Sequence, residues 1–173
     1  LVNLKSKNMQ EQALIEETVD VKELIEKIDI LTDIKKPQKF PWPYEEESVK
    51  ELVCNGVLEF IPGKLRGKFM DEIYRILVTG GKAAFAVPYW NSSMALHDYR
   101  YEWPTLTEQS FLMFNKGWRE ANKKDVDILC DFDFTYGYTA EPSTAARNEE
   151  SRSFFIKHYS NTVEALHLIL TKR

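Results

Sequence analysis

The chain is short of the residues from which many sites are built. It has two cysteines in 173 residues, Cys54 and Cys130, and both lie inside apolar runs. A disulfide framework or a zinc site needs more ligands at tighter spacing, so the pair reads as small buried hydrophobes, compatible with a reducing compartment. The three histidines, His97, His158 and His167, are far apart and show no ligand spacing, so no metal is expected. His167 reads as a structural or edge residue. Neither GxxxxGK[ST] nor G-x-G-x-x-G occurs, which leaves a phosphate loop unsupported and weighs against a dinucleotide. No apolar run approaches the roughly 18–20 residues of a membrane span, and no basic-then-apolar leader opens the sequence. A net charge of −4 argues against a broad nucleic-acid footprint. Repeats and low-complexity linkers are missing too. A cytoplasmic protein without a membrane segment is the expectation.

What is present suits one domain over residues 1–173, with 43% hydrophobic residues to form its core. Leu1 already stands in a strand-like run, which is compatible with further residues upstream. Residues 1–4 read as the end of a first strand, 9–17 as a short helix, 18–21 as a second strand and 28–31 as a third. Val21, Leu24, Ile25 and Ile28 follow i, i+3, i+4, i+7, which predicts helix between those strands. Pro37, Pro41 and Pro43 then enforce a loop. Ser48 with Glu51 has the spacing of a capping box, but residues 45–50 read better as a turn feeding a buried strand at 52–54. The helix predicted over 65–77 puts Phe69, Ile73, Ile76 and Leu77 on one face, and Gly80-Gly81 reads as its C-terminal stop. A strand follows at 82–87, closed by Pro88. Phe111, Met113, Phe114 and Trp118 suggest a helix over the sheet. Strands are expected at 126–138 and 165–171, with a helix over 144–159 between them. Phe132, Phe134 and Tyr136 share a face at period 2. Alternating strands and helices imply a mainly parallel sheet covered on both faces, with the last two strands as an antiparallel edge pair.

Two stretches carry a resemblance. One is the corner Asn55-Gly56-Val57-Leu58-Glu59-Phe60-Ile61, and the other is Glu72-Ile73-Tyr74-Arg75-Ile76-Leu77-Val78-Thr79-Gly80-Gly81 before a strand and Pro88. Together they resemble the small class I S-adenosylmethionine-dependent methyltransferases, whose patterns are H-x-L-E-H-I and E-I-x-R-x-L-x-x-G-G. The resemblance implies an α/β, Rossmann-like methyltransferase fold with an antiparallel C-terminal strand. It further implies S-adenosylmethionine as cofactor and an unknown acceptor. On this reading Asp20 would bind the ribose hydroxyls, Asp33 the adenine amino group with Ile34 against the ring, and Asn55 and Gly56 would line the pocket. Tyr89 and Asp98 would face the acceptor, Asp98 as a base, with Trp90 and Trp103 able to stack on a planar or sugar-like molecule.

The sequence departs from the family pattern at identifiable positions. Phe60 replaces the second histidine, Gly56 falls near the first, and Asp98-Tyr99-Arg100-Tyr101 stands where D-P-x-H is usual. The glycine-rich cofactor loop is degenerate: Leu4-Lys5-Ser6-Lys7-Asn8 occupies its place, so Lys5 and Ser6 would border the cofactor. Glycine is used there because it turns the backbone sharply and presents no Cβ. A catalytically inactive homologue is therefore the alternative, acting as a scaffold through a protein partner or self-association at the aromatic surface around Trp90, Trp103 and Trp118. Plainer readings stand beside each assignment. Asp20 serves as a helix cap, Asp33 and Asn55-Gly56 as turn residues, Lys5-Ser6-Lys7 as a solvated turn, and the aromatics as a flap over the sheet edge. The loop argument predicts that Lys5→Gly combined with Lys7→Gly strengthens S-adenosylmethionine binding in a calorimetric titration. Unchanged affinity would overturn it.

Overall fold

The computed structural model describes residues 40–173. The elements expected before residue 40, together with Lys5, Ser6, Asp20, Asp33 and Ile34, lie outside the described residues. In chain order the described elements are β1 (Val49–Asn55), α1 (Gly63–Ile76), β2 (Leu77–Pro88), α2 (Lys116–Ala121), β3 (Phe132–Ala140), α3 (Pro142–Ala145), α4 (Glu149–His158) and β4 (Val163–Lys172). Short 3₁₀ turns occupy Leu58–Phe60, Ser93–Leu96 and Glu108–Phe114. The sheet order is β1-β2-β4-β3. β1 and β2 are parallel, and β4 runs antiparallel to both β2 and β3.

One face of this sheet carries the core. Cys54 pairs with Phe85, and Phe85 with Leu168, so the inward side chains stack in register across three strands. Phe69 from α1 and Phe111 from the 108–114 turn close over them, both fully buried. Each such phenylalanine stabilises the fold by about 3–5 kcal/mol relative to alanine. Both cysteines are free and buried, and burial raises their thiols well above the ordinary range.

The helix over 65–77 is found, but its stop is different. α1 ends at Ile76 and β2 begins at Leu77 with no connecting loop. The last helical carbonyls need no glycine cap, because the backbone N–H of Glu47 donates to Arg75 O (3.0 Å) and that of Ser48 to Ile76 O (2.9 Å). Gly80 and Gly81 instead lie within β2, at a bulge. Between Val49↔Leu77 and Glu51↔Lys82 the pairing slips, and β2 carries the additional residues. Gly80 has φ +77, and a Cβ on Gly81 would stand 2.8 Å from Val78 O and 3.0 Å from Lys50 O. Glycine is required, as its sequence context suggested, but to loop out residues inside a strand.

Two cations, half-buried Arg75 and buried Lys172, hold this region. Arg75 donates to Glu72 and to the carbonyls of Tyr44 and Trp42, while Glu72 also accepts from the backbone of Trp42. The Lys172 ammonium, almost fully buried, donates to Leu77 O (2.8 Å) and Glu47 Oε1 (3.2 Å) and lies over the Tyr74 ring. The final strand is thereby tied to the helix–strand junction.

Three other expectations need correction. The strand expected from 126 begins at Phe132. Upstream of it, Asp71 captures the backbone N–H of Leu129 and Cys130, and Arg119 donates to the carbonyls of Met113, Ile128 and Cys130. Backbone groups bonded to side chains cannot also join a ladder. The helix suggested by Phe111 to Trp118 is divided at Asn115, whose side chain caps α2 through Trp118 N and donates to Phe132 O. The helix over 144–159 is likewise two helices, with Glu141 capping α3 and Asn148 capping α4.

Gly81→Ala is expected to lower stability by about 1–3 kcal/mol, because neither backbone oxygen can retreat. Gly137→Ala, where a Cβ meets nothing within 4 Å, stays within about 0.5 kcal/mol of the parent. Urea unfolding of the two variants makes the comparison.

Candidate functional site at the carboxyl edge of the sheet

The parallel strands β1 and β2 finish side by side. Asn55 lies opposite Ala86, and Gly56 N donates to Ala86 O (3.2 Å). β3 ends on the same rim, and β4 starts there, with Tyr138 opposite Leu166. In open α/β sheets the carboxyl ends of the strands form the usual ligand crevice. Gly56 turns the chain at φ +65, and among the described residues only Glu59 Oε1, at 3.7 Å, would meet a Cβ there. Asn55 is exposed at the rim.

Beside this corner is a small hollow, of about 20 Å³, whose walls include Glu59, Pro88, Tyr101 and Leu106. Its outer wall is the segment after β2. Glu102 N donates to Glu59 O (2.7 Å), Trp90 N donates to Leu106 O (3.1 Å), and Tyr89 bridges Leu106 in parallel fashion. Arg66, buried at the start of α1, donates to Ile61 O (3.0 Å) and Glu102 O (2.9 Å) and also to Pro104 O. Burial lowers its pKa, and the nearby carboxylates of Glu102 and Glu59 oppose that shift. The guanidinium is a structural tie between helix and loop.

The two residues expected to face the acceptor have different neighbours. Asp98 is gripped by Arg100, whose Nε approaches Oδ1 at 3.0 Å, whose Nη2 approaches Oδ2 at 2.6 Å, and whose backbone N–H also donates. These bonds, the side-chain ones first, lower the Asp98 pKa to about 2. Such a carboxylate is a poor proton acceptor near neutrality, so the geometry does not favour the expected base. Tyr89 turns inward instead. Its ring packs on Tyr138 (5.4 Å between centroids) and Trp90 (6.4 Å). Burial raises its pKa, followed by the negative charge of Glu108. The same two causes, in the same order, raise Tyr138. Glu108 was not singled out from the sequence. Nothing in its local pattern marks it, and only the 3₁₀ turn that carries Phe111 into the core brings it to the two tyrosines. Glu59 was visible as part of the corner pattern, although not as a lining residue.

Exposed apolar side chains cluster along the loop after β2: Trp90 (47% exposed), Met94, Leu96, Tyr99 (96%) and Trp103 (77%). Trp118 is half-buried on α2. Among the described residues no three potential metal ligands converge, and no helix is long and apolar enough to cross a membrane.

A SAM-dependent methyltransferase from Archaeoglobus fulgidus has a similar structure, with TM-score 0.51 and 11% identity over 75% of this chain and 62% of that one. Weaker likenesses include geranyl diphosphate methyltransferase in complex with SAM (TM-score 0.48, 11% identity, 77% of this chain and 54% of that one). Another is a chain from the complex between the Haloferax volcanii Trm112 methyltransferase activator and a methyltransferase (0.45, 15%, 76% and 57%). No protein-family model matches the sequence, and no curated protein matches it. The fold is the Rossmann-like fold of the class I S-adenosylmethionine-dependent methyltransferases, as the Asn55 corner and the 72–81 segment implied. The chain spans about three-fifths of the length of the A. fulgidus protein, and at this identity the likeness concerns the fold alone.

The Asp98–Arg100 pair gives a pH prediction. The folded pKa lies below the unfolded carboxylate value of about 3.9. Its contribution to stability is therefore complete above about pH 4 and is lost as pH falls through about 2. A carboxyl-carbon NMR titration of Asp98 should give a midpoint near 2. A midpoint near 4, unchanged in Arg100→Ala, would show that the pair does not form.

Proposed function

We propose that the chain, as one domain over residues 1–173, is an S-adenosylmethionine-dependent methyltransferase whose acceptor binds at the carboxyl edge of the sheet. The observation that carries this reading is the open Asn55-Gly56 corner beside the hollow at the ends of β1 and β2, in a methyltransferase fold. A left-handed glycine with space over its backbone among the described residues suits close approach by a ligand. Asn55 and Gly56 would hold the cofactor from this side. Lys5, Ser6, Asp20, Asp33 and Ile34 are its further proposed contacts, by the resemblance alone.

S-Adenosylmethionine, when bound, would supply an electrophilic methyl group. The protein's own task is then alignment, holding the acceptor atom in line with the bond that breaks and excluding water. Tyr89 is the proposed acceptor-side residue. Asp98 is better placed as the partner of Arg100, fixing the loop, than as a base. The acceptor is a small molecule presenting a planar or sugar-like face to Trp90 and Trp103. Two free, buried thiols are compatible with a cytoplasmic setting.

A second reading is favoured by one observation. The exposed apolar run Trp90, Met94, Leu96, Tyr99 and Trp103 is the kind of surface that a protein partner or a second copy covers. On this reading the domain is a catalytically inactive scaffold.

Calorimetric titration with S-adenosylmethionine and its demethylated product separates the two. The enzyme reading expects a Kd on the order of micromolar, with Asn55→Ala weakening it by about tenfold at unchanged thermal stability. Absence of binding by the folded protein would overturn the enzyme reading in favour of the scaffold.

A further inference from the structure

We propose that the free edge of β3 pairs with the same strand of a second copy of this chain, joining the two sheets as an antiparallel dimer with its two-fold axis at Tyr136. The pairing is carried by the strand itself and does not depend on the methyltransferase reading.

Among the described residues β3 is an edge strand, bonded to β4 alone. In an antiparallel pair each residue sends its N–H and C=O together to one side, and successive residues alternate. The start of the strand fixes that alternation. Asp131 O accepts from Arg173 N (3.1 Å) on the β4 side, while Phe132 O accepts from the Asn115 side chain (2.9 Å) off the sheet. The backbone groups of Phe134, Tyr136 and Tyr138 therefore point to the free edge, and among the described residues no hydrogen bond from outside the sheet reaches them. Natural edges are blunted by lysine, proline or a bulge. Phe134-Thr135-Tyr136-Gly137-Tyr138 contains no lysine, proline or charge, and its pairing with β4 runs without a register shift. The central ring, Tyr136, is 52% exposed.

The stretch is complementary to itself. A two-fold axis normal to the sheet keeps every side chain on its own face, so opposed residues are an even number apart. Centred on Tyr136, the register sets Phe134 against the partner's Tyr138, Tyr136 against the partner's Tyr136 and Thr135 against the partner's Gly137. All three outward-pointing residues then exchange backbone bonds, and aromatic pairs across strands are favourable. A Cβ on Gly137 would meet nothing within 4 Å among the described residues, which leaves room for the facing threonine. The charges match as well. Asp133 falls opposite neutral Thr139, and its carboxylate is paired with Arg173 of its own chain (3.4 Å). Neighbouring registers are worse. Centring on Thr135 would oppose Tyr138 to Phe132, whose carbonyl Asn115 already holds. Centring on Gly137 would oppose Asp133 to Glu141, and like charges repel there. A charged peptide strand would find no counter-charge along 134–138. Because Tyr138 packs on Tyr89 at 5.4 Å, the seam would run beside the carboxyl rim.

Sedimentation velocity of the whole chain, from roughly 1 to 100 μM and without S-adenosylmethionine, is expected to show a monomer–dimer equilibrium with a Kd on the order of micromolar. Tyr136→Lys sets two ammonium groups face to face on the axis and is expected to raise that Kd by about tenfold or more. Trp103→Lys, on the exposed loop, is expected to leave it unchanged. In the parent protein, hydrogen exchange at the amides of Phe134, Tyr136 and Tyr138 should slow as concentration rises, a readout that needs no variant. A parent chain that stays monomeric over the whole range would overturn the proposal. So would a dimer that survives Tyr136→Lys, or one that forms without slowing those three amides. Loss of the dimer in Trp103→Lys would place the contact on the aromatic loop and overturn it too.

Discussion

The junction between α1 and β2 is the constraint on which the described fold depends. A helix that runs straight into a strand leaves its last carbonyls without intrahelical partners, and no loop is available to supply any. The turn before β1 provides them through Glu47 and Ser48, and Lys172 at the end of β4 provides a donor to Leu77. One junction is thus fastened by the start of the first described strand and the end of the last. The same fastening fixes where β1 and β2 begin relative to each other. The Gly80-Gly81 bulge then absorbs the excess length of β2 and sets Asn55 opposite Ala86. The geometry of the carboxyl rim is therefore decided at the opposite end of the strands.

This dependence explains which parts of the fold were legible in the sequence. The face of α1 was, because Phe69, Ile73 and Ile76 repeat at helical spacing and all three are buried. The shared face of Phe132, Phe134 and Tyr136 in β3 was legible at period 2, although only Phe132 is fully buried and Tyr136 is 52% exposed. The end of α1 was not. Gly-Gly is a good helix stop, and only the tertiary donors at Glu47 and Ser48 make that stop unnecessary. Residues 126–131 were misread as strand for a related reason. Their apolar residues suit a strand, but Asp71 and Arg119 claim the backbone groups that a strand would need. Long-range side-chain bonds to the backbone leave no local signature.

At the candidate site the corner was legible and the chemistry was only partly so. Asn55 and Gly56 fall on the rim because the turn that ends a buried strand is written in local sequence. The roles of the carboxylates were not, since a carboxylate takes its character from neighbours that sequence separation hides. Asp98 has its cation two residues away and is held ionised by it. Glu108 meets its tyrosines from another loop and from β3, and finds no cation among the described residues. Glu59 is packed beneath the Gly56 turn. Three acidic side chains near one rim are thus chemically different groups.

The exposed aromatic loop bears on both readings of the protein. Leu106 and Tyr101 line the hollow, while Trp90, Met94, Leu96, Tyr99 and Trp103 on the same segment are exposed. Backbone bonds from Trp90 to Leu106 and from Glu102 to Glu59, with Arg66 gripping the carbonyls of Glu102 and Pro104, make this segment one braced wall. A partner covering the outer side would press on a wall whose inner side lines the hollow. Displacement of Leu106 would also reach Tyr89, through the bridge between them, and hence the tyrosine pair facing Glu108. The proposed interface and the proposed ligand site would therefore share one braced wall, and occupancy of either surface would change the energy of the other to the extent that the wall moves.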